Sequence, residues 1–232
     1  MAEIDLATKS LQVAIKADTE ELLTKIESVG LEQDPYNTPG PQTLKIGTLD
    51  LGYFGFVAAN ELITGNALTS EVGITEGTAQ FSDAGWFKWA YVKKILFVAK
   101  KTFRHSISWD HINSKGAVFG TKTVAIGGKT YKVRLLTGGN GQPASGGGGE
   151  WNMIMYGVHQ NYTPPWDYYN DQDLYTHNTY GSGSYSWCQE TSSSQSSYRV
   201  SRGYTGVATF GPDTSSSTTT ARAWRPCLEL IS

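Results

Sequence analysis

Two successive glycines, Gly127 and Gly128, stand between the runs Val124–Ile126 and Tyr131–Leu136. A two-residue connection between strands needs positive φ at its centre, which glycine adopts without steric cost. The pair therefore predicts a tight hairpin, and with it an antiparallel sheet. Upstream, Ile95-Leu-Phe-Val-Ala99 is a continuous apolar run of strand length, and Leu49 to Ala59 is apolar and aromatic. Residues 62–82 have helix-and-turn character. Downstream, 19 of the 40 residues in 181–220 are Ser or Thr. Trp187, Cys188, Tyr198, Val200, Tyr204, Val207 and Phe210 punctuate that tract at strand-like spacing, which predicts ordered short strands and long surface loops.

The N-terminal part is different in kind. Residues 1–34 hold eight acids against three lysines. Asp18-Thr-Glu-Glu21 has the form of a helix N-cap with an acid three residues on, and Leu22, Leu23, Ile26 and Val29 form one apolar stripe before Gly30. Heptad spacing is interrupted by Asp18 and Lys25, so a short helix, docked on a partner or sister chain or packed on its own domain, is expected in place of a long coiled coil. Residues 35–43 (PYNTPGPQT) break helix and strand alike. The expected organisation is a helical attachment segment and proline-rich linker over 1–43, then one domain over 44–232. No apolar stretch of signal-peptide or membrane-span length is present, so neither secretion by a leader nor membrane insertion is expected.

Only 17% of residues are charged, against about 25% in an ordinary soluble domain, and the formal net charge is −2. No global field recruits nucleic acid or an anionic membrane. One stretch is basic: residues 88–134 contain eleven Lys and Arg and a single acid, Asp110. Those cations sit beside strand patterns and are expected on solvated alternate positions, not on a nucleic-acid face. Beyond Arg134 the cations are Arg199, Arg202, Arg222 and Arg225, which suits guanidinium groups held in fixed hydrogen-bonding forks.

Most chemistry-bearing motifs lack their context. Gly127-Gly128-Lys129-Thr130 is followed by strand, not by the helix a phosphate loop needs, and Thr123 stands where that loop's first glycine belongs. Cys188 and Cys227 form no zinc spacing; a bridge between them requires their strands to lie side by side. His105 and His111 flank Trp109-Asp110, an arrangement that structural histidines share. Asp167, Asp171 and Asp173 could hold Ca²⁺ or, with Glu150 or Glu190, act as paired carboxylates, but no EF-hand register is present. The expectation is loop acids that solvate and cap, with no metal, no cofactor and no catalytic residue.

Residues 161–187 hold two tryptophans and six tyrosines among Asn, Asp, Ser and Gly. Aromatic faces stack on sugar rings, tyrosine hydroxyls and amides add directional hydrogen bonds, and the same mixture serves protein recognition. Trp187 is expected inside. Six tyrosines in a glycine-punctuated segment exceed what one core absorbs, so a recognition surface is expected at Trp166, Tyr168, Tyr169, Asp171, Asp173, Tyr175, Tyr180 and Tyr185.

An ordered set of motifs runs through the second half: Lys100-Lys-Thr-Phe-Arg-His-Ser-Ile-Ser-Trp-Asp110, Tyr131-Lys-Val-Arg-Leu-Leu-Thr-Gly-Gly139 and Gly149-Glu-Trp-Asn152. They are followed by Trp187-Cys-Gln-Glu190, Arg199-Val-Ser-Arg-Gly203 and Trp224-Arg-Pro-Cys-Leu-Glu-Leu-Ile231. Over residues 85–232 this order resembles bacteriophage virion structural proteins of tails and appendages. The C-terminal motifs also resemble the formylglycine-generating-enzyme type of C-type-lectin-like fold.

The resemblance implies an α+β, C-type-lectin-like domain with a twisted antiparallel sheet and long loops. It implies a non-enzymatic virion component, such as a tail-fibre protein, that binds host-surface glycan or protein. The N-terminal segment would contact other virion proteins, in a trimer or other symmetric homo-oligomer assembled in the bacterial host cytoplasm. Trp151, Trp187, Arg202 and Arg225 are read as framework residues. The active cysteines of the enzyme branch do not map onto Cys188 or Cys227, and the Glu-Pro-Asn and Trp-Asn-Asp patterns of calcium-dependent lectins are missing. Two rivals stand beside this reading: a head-fibre, head-decoration or collar protein whose aromatic surface is a subunit interface, and a cell-envelope hydrolase.

Overall fold

The hairpin that the paired glycines predict joins β7 (Phe119–Ile126) to β8 (Lys129–Arg134), with Ile126 opposite Lys129. Gly127 and Gly128 have φ of 58° and 79°, and an added Cβ at either would meet nothing within 4 Å. Backbone conformation alone therefore selects glycine at this turn. The structure is a computed structural model that describes Lys16, Asp18, residues 37–139 and residues 149–231. The expected capped helix after Asp18 and most of the attachment segment lie outside the described residues.

The architecture is mostly β, with few and short helices, compatible with an α+β or mainly-β class. The other strands are β1 (Ile46–Gly47), β2 (Leu51–Val57), β3 (Thr78–Ala79), β4 (Trp86–Tyr91), β5 (Lys94–Ala99), β6 (Arg104–His105), β9 (Tyr185–Thr191), β10 (Tyr198–Gly203), β11 (Asp213–Thr214), β12 (Arg222–Trp224) and β13 (Cys227–Leu230). A seven-stranded sheet runs β1-β2-β4-β5-β13-β8-β7, and a six-stranded sheet runs β11-β10-β9-β12-β6-β3. Every pairing in the first sheet is antiparallel; in the second, β9 and β12 run parallel. The helix Gly65–Val72 is N-capped by Thr64, whose hydroxyl accepts from the Ala67 amide, and stops at Gly73 in the left-handed region.

Both faces of the large sheet are covered, and the period-2 alternation of its central strands sorts side chains into two cores. Trp86, Ala90, Ile95, Phe97 and Leu228 face one core with Leu68, Trp187 and Trp224. Phe87, Trp89, Leu96, Val98 and Cys227 face the other with Trp151, Ile154, Leu174, Cys188 and Val200. This two-sided burial is why Ile95–Ala99 reads as an unbroken apolar run. Burying a Trp removes about 150–250 Å² from water, and Trp86, Trp89, Trp151, Trp187 and Trp224 are all fully buried.

The basic stretch departs from the solvated-face expectation at two positions. Lys88 is fully buried on β4, where its ammonium donates to the Pro41 carbonyl at 2.7 Å and lies 4.8 Å from the Phe54 ring centre. Arg134, also buried, forks onto Glu150 with two 2.8 Å hydrogen bonds and reaches Glu229 at 2.8 Å through Nε. With both sheet faces covered, a strand cation on an inward position must find a partner inside, because an unpaired buried charge is too costly to keep.

Candidate functional site

The aromatic segment is anchored by a one-turn helix, Asp171–Leu174, with a reciprocal capping box. The Asn170 side chain accepts from the Gln172 and Asp173 amides, and Asp173 accepts from the Asn170 amide. Leu174 inserts into the second core, and Tyr175 closes the turn at φ 57°. From the C-terminal side Arg225 holds this turn: Nη2 donates to the Leu174 carbonyl at 2.7 Å, Nη1 to the Ala99 carbonyl at 3.0 Å, and Nε to the Ser186 hydroxyl at 3.0 Å. Arg202 forks onto the Gly138 carbonyl, with Nε at 2.8 Å. Trp151 is buried, with its indole N–H on the Val207 carbonyl at 2.8 Å, and Trp187 is buried with its N–H on the Ile107 carbonyl at 2.7 Å.

The rings expected to face outward divide. Tyr168 is 77% exposed and Tyr180 42%. Tyr175 is buried: its ring packs edge-on to Phe81 at 4.4 Å, and its hydroxyl donates to the Tyr180 carbonyl at 2.6 Å. Trp166 and Tyr169 are half-buried, 5.2 Å from Trp89 and 5.0 Å from Phe87. Tyr185, also half-buried, lies between the Tyr204 ring and the Arg222 guanidinium, parallel to Tyr204 within 7° at 4.6 Å and 4.3 Å from the guanidinium carbon. Of the six rings, Tyr168 and Tyr180 are exposed, Trp166 and Tyr169 stand on the second core, and Tyr175 and Tyr185 pack on Phe81 and on Tyr204 with Arg222. The physical reason is that Leu174 plugs the second core, where Trp166 and Tyr169 also pack, while Tyr175 turns onto Phe81.

The acids are engaged locally. Asp167 accepts from the Tyr168 amide and from Lys45, both at 3.0 Å. Asp171 accepts from the Thr176 hydroxyl at 2.6 Å and the Val207 amide at 2.7 Å. Glu150 is held by Arg134 and the Thr137 amide, and Glu190 by the Gly138 and Gly139 amides. Burial alone would raise Asp213, but hydrogen bonds from Ser217, Thr214 and Arg222 hold it below the usual carboxylate value. Each of these carboxylates thus accepts from neighbouring groups, and Asp171 Oδ1 also lies 3.7 Å from His159 Nε2, which is buried with no hydrogen-bond partner among the described residues. Among the described residues no three His, Cys, Asp or Glu side chains gather with metal-binding spacing. Cys188 and Cys227 are buried free thiols, on strands that belong to different sheets.

One place is unlike the rest. A notch of about 300 Å³ is lined by Asn178, Gly181, Ser182, Ser184, Tyr204, Thr220 and Ala221. It lies where the loop after Tyr175, the Tyr204 turn and the loop before β12 meet. Their backbones interlock: the Asn178 amide donates to the Tyr204 carbonyl, the Gly183 amide to Thr220 and the Tyr185 amide to Ala221. Tyr204 sits at φ 97°, a conformation that costs a non-glycine residue of order 1–3 kcal/mol and persists where its surroundings impose it. The Ser184 hydroxyl is buried without a hydrogen-bond partner among the described residues.

A second cleft, of about 550 Å³, opens between the turn Phe81–Ala84 and Lys100-Lys101. Lys100 lies 4.6 Å from the Tyr169 ring centre and 5.5 Å from that of Phe56; Lys101 lies 5.1 Å from Phe81 and 6.0 Å from Tyr175. Tyr175, which is buried, stands between the two places. Its ring meets Phe81 and Lys101, while a Cβ added at Gly181, in the notch, would stand 2.5 Å from its hydroxyl.

The sequence reading placed Tyr175, Tyr180 and Tyr185 beside these features and missed Asn178, Ser184, Tyr204 and Thr220. Small polar residues within a tract so rich in Ser and Thr carry no distinguishing signal. Lys100-Lys101, an adjacent cation pair in a charge-poor chain, was the available clue to the second cleft. Comparison with protein-family models, curated proteins and solved structures finds no match to this chain.

Proposed function

We propose that this chain is a non-enzymatic bacteriophage virion component, a tail-fibre or appendage protein. In this reading, residues 44–232 form a C-type-lectin-like domain that binds a host-surface saccharide. The observation that carries the reading is the notch: its Ser184 hydroxyl is buried with no hydrogen-bond partner among the described residues, while carboxylates and guanidiniums nearby are engaged. Hydroxyls and an amide converging on an uncharged recess beside a tyrosine are the chemistry that a neutral sugar ring requires. The ordered motifs give mechanical support. Arg202 and Arg225 fasten loops to sheets, so the loops that form the notch stand on a fixed base. Single sites of this kind bind weakly, and several copies on one particle multiply the affinity.

Binding of the full chain to host cells, and its loss in Tyr204→Ala, tests this reading. Binding that survives Tyr204→Ala removes the notch from it. The packing of Trp166, Tyr169 and Tyr175 onto the core favours a second reading, a head-fibre, decoration or collar protein. A full chain that binds capsid or tail proteins and no cells supports that alternative, and imaging of intact virions locates the protein directly. Release of reducing sugar from host envelopes, abolished by Asp171→Asn, would establish a hydrolase instead.

A further inference from the structure

We propose that the Lys100–Lys101 cleft is an anionic subsite of the same binding face, so that the saccharide taken is an acidic one, bearing carboxylate or phosphate groups along its chain. This rests on the saccharide-binding reading above and adds the charge of the ligand to it.

The Lys100 and Lys101 ammonium groups both border the cleft. They are adjacent in a chain with few charges, and among the described residues neither forms an ion pair. Each is instead held over aromatic faces, Lys100 by Tyr169 and Phe56 and Lys101 by Phe81 and Tyr175. The ring faces attract and position each head group without neutralising its charge. Burial lowers the Lys101 pKa, and Lys100 lowers it further, so the two charges compete for the same solvent. Two acids lie nearby. Asp173 opposes that shift, but its carboxylate is tied to the Asn170 amide; Asp83 lines the cleft and is exposed. The cleft thus presents two cations, one free carboxylate and an aromatic wall. An anionic group meets the ammoniums, and Asp83 accepts from hydroxyls of the attached ring. Phe81 of the cleft and Gly181 of the notch both pack against buried Tyr175, so the two recesses are neighbours and one chain-like ligand can span them.

The test measures binding of the full chain, by calorimetry, to three oligosaccharide-length probes. One contains glucuronate, one is an oligomer of glycerol phosphate, and one is a neutral glucan. The expected result is that at least one anionic probe binds about tenfold or more tightly than the neutral one at low salt, with the margin shrinking as salt rises. The stronger anionic arm identifies carboxylate or phosphate as the source. The double variant Lys100→Gln/Lys101→Gln should lose that margin and keep neutral binding, whereas Lys100→Arg/Lys101→Arg should retain it. An undiminished preference in the glutamine variant overturns the subsite. So does equal affinity of the wild-type chain for all three probes, which leaves saccharide binding standing. Failure to bind any probe, neutral or anionic, overturns both readings.

Discussion

Arg225 donates to the carbonyl oxygen of Leu174 at 2.7 Å, tying the junction between β12 and β13 to the one-turn helix of the aromatic segment. The same guanidinium serves the Ala99 carbonyl and the Ser186 hydroxyl and lies 5.6 Å from the Trp151 ring centre, so it joins elements from both sheets. Arg225→Met deprives buried acceptors of their donor at about 1–3 kcal/mol each. A loss of about 3 kcal/mol or more is expected in urea denaturation. Arg225→Lys, with one point charge in place of a fork, should fall between the two. A wild-type midpoint for the methionine variant would show that those carbonyls are satisfied elsewhere.

The turn between β4 and β5 carries a different strain. Val92 and Lys93 both have positive φ, 49° and 60°, and Val92 is 62% exposed. A β-branched residue in that region is an outlier, and such turns favour Asn-Gly. The double substitution Val92→Asn/Lys93→Gly is expected to stabilise the fold by about 1 kcal/mol or more, read as a raised denaturation midpoint. A lowered midpoint would mean that the native pair contributes contacts exceeding the strain.

His111 makes stability depend on pH. Its Nε2 accepts from the Thr75 amide at 3.2 Å and the Glu76 amide at 3.4 Å, which requires that nitrogen to be unprotonated. Burial lowers its pKa; Glu76 opposes this, and Lys115 and Arg104 reinforce it. A depressed folded pKa contributes stability in full above the unfolded value of about 6.5, lost as pH falls through the folded value. His105 and His159 are depressed in the same direction, chiefly by burial. The denaturation midpoint is expected to hold above pH 7 and decline below about pH 6.5, with His111→Asn showing a shallower decline. A midpoint that rises on acidification would contradict the sign.

The thiols should be inert. Cys188 and Cys227 are fully buried, and burial pushes the Cys227 thiol up to about 12 and raises Cys188 as well. Maleimide labelling is expected to be absent in the native state and to reach both thiols after unfolding, with no change in melting temperature on adding reductant. Rapid native labelling would show that the β9 or β13 region opens.

How much of this was legible follows from the range of the interactions. The β7–β8 hairpin is written locally, in two glycines, and the run at Ile95–Ala99 is visible because both sheet faces are covered. The β4–β5 hairpin is not, because Val92-Lys93 carries no turn signal and Lys88 interrupts the apolar pattern. Among the partners of that lysine are Pro41 and Phe54, far away in the chain. The parallel pairing of β9 with β12 is likewise a long-range fact. Tyrosine density over 161–187 does not tell which rings are drawn inward. The notch is assembled from single Ser, Thr and Asn residues on separate loops, whose convergence no spacing encodes.

The account turns on the recess beside Tyr204, and a saccharide panel probed with the full chain tests it most directly. The wild-type protein is expected to bind at least one saccharide class, and Tyr204→Ala to weaken that binding about tenfold or more with an unchanged melting temperature. No bound saccharide, or equal binding by the folded variant, would contradict it.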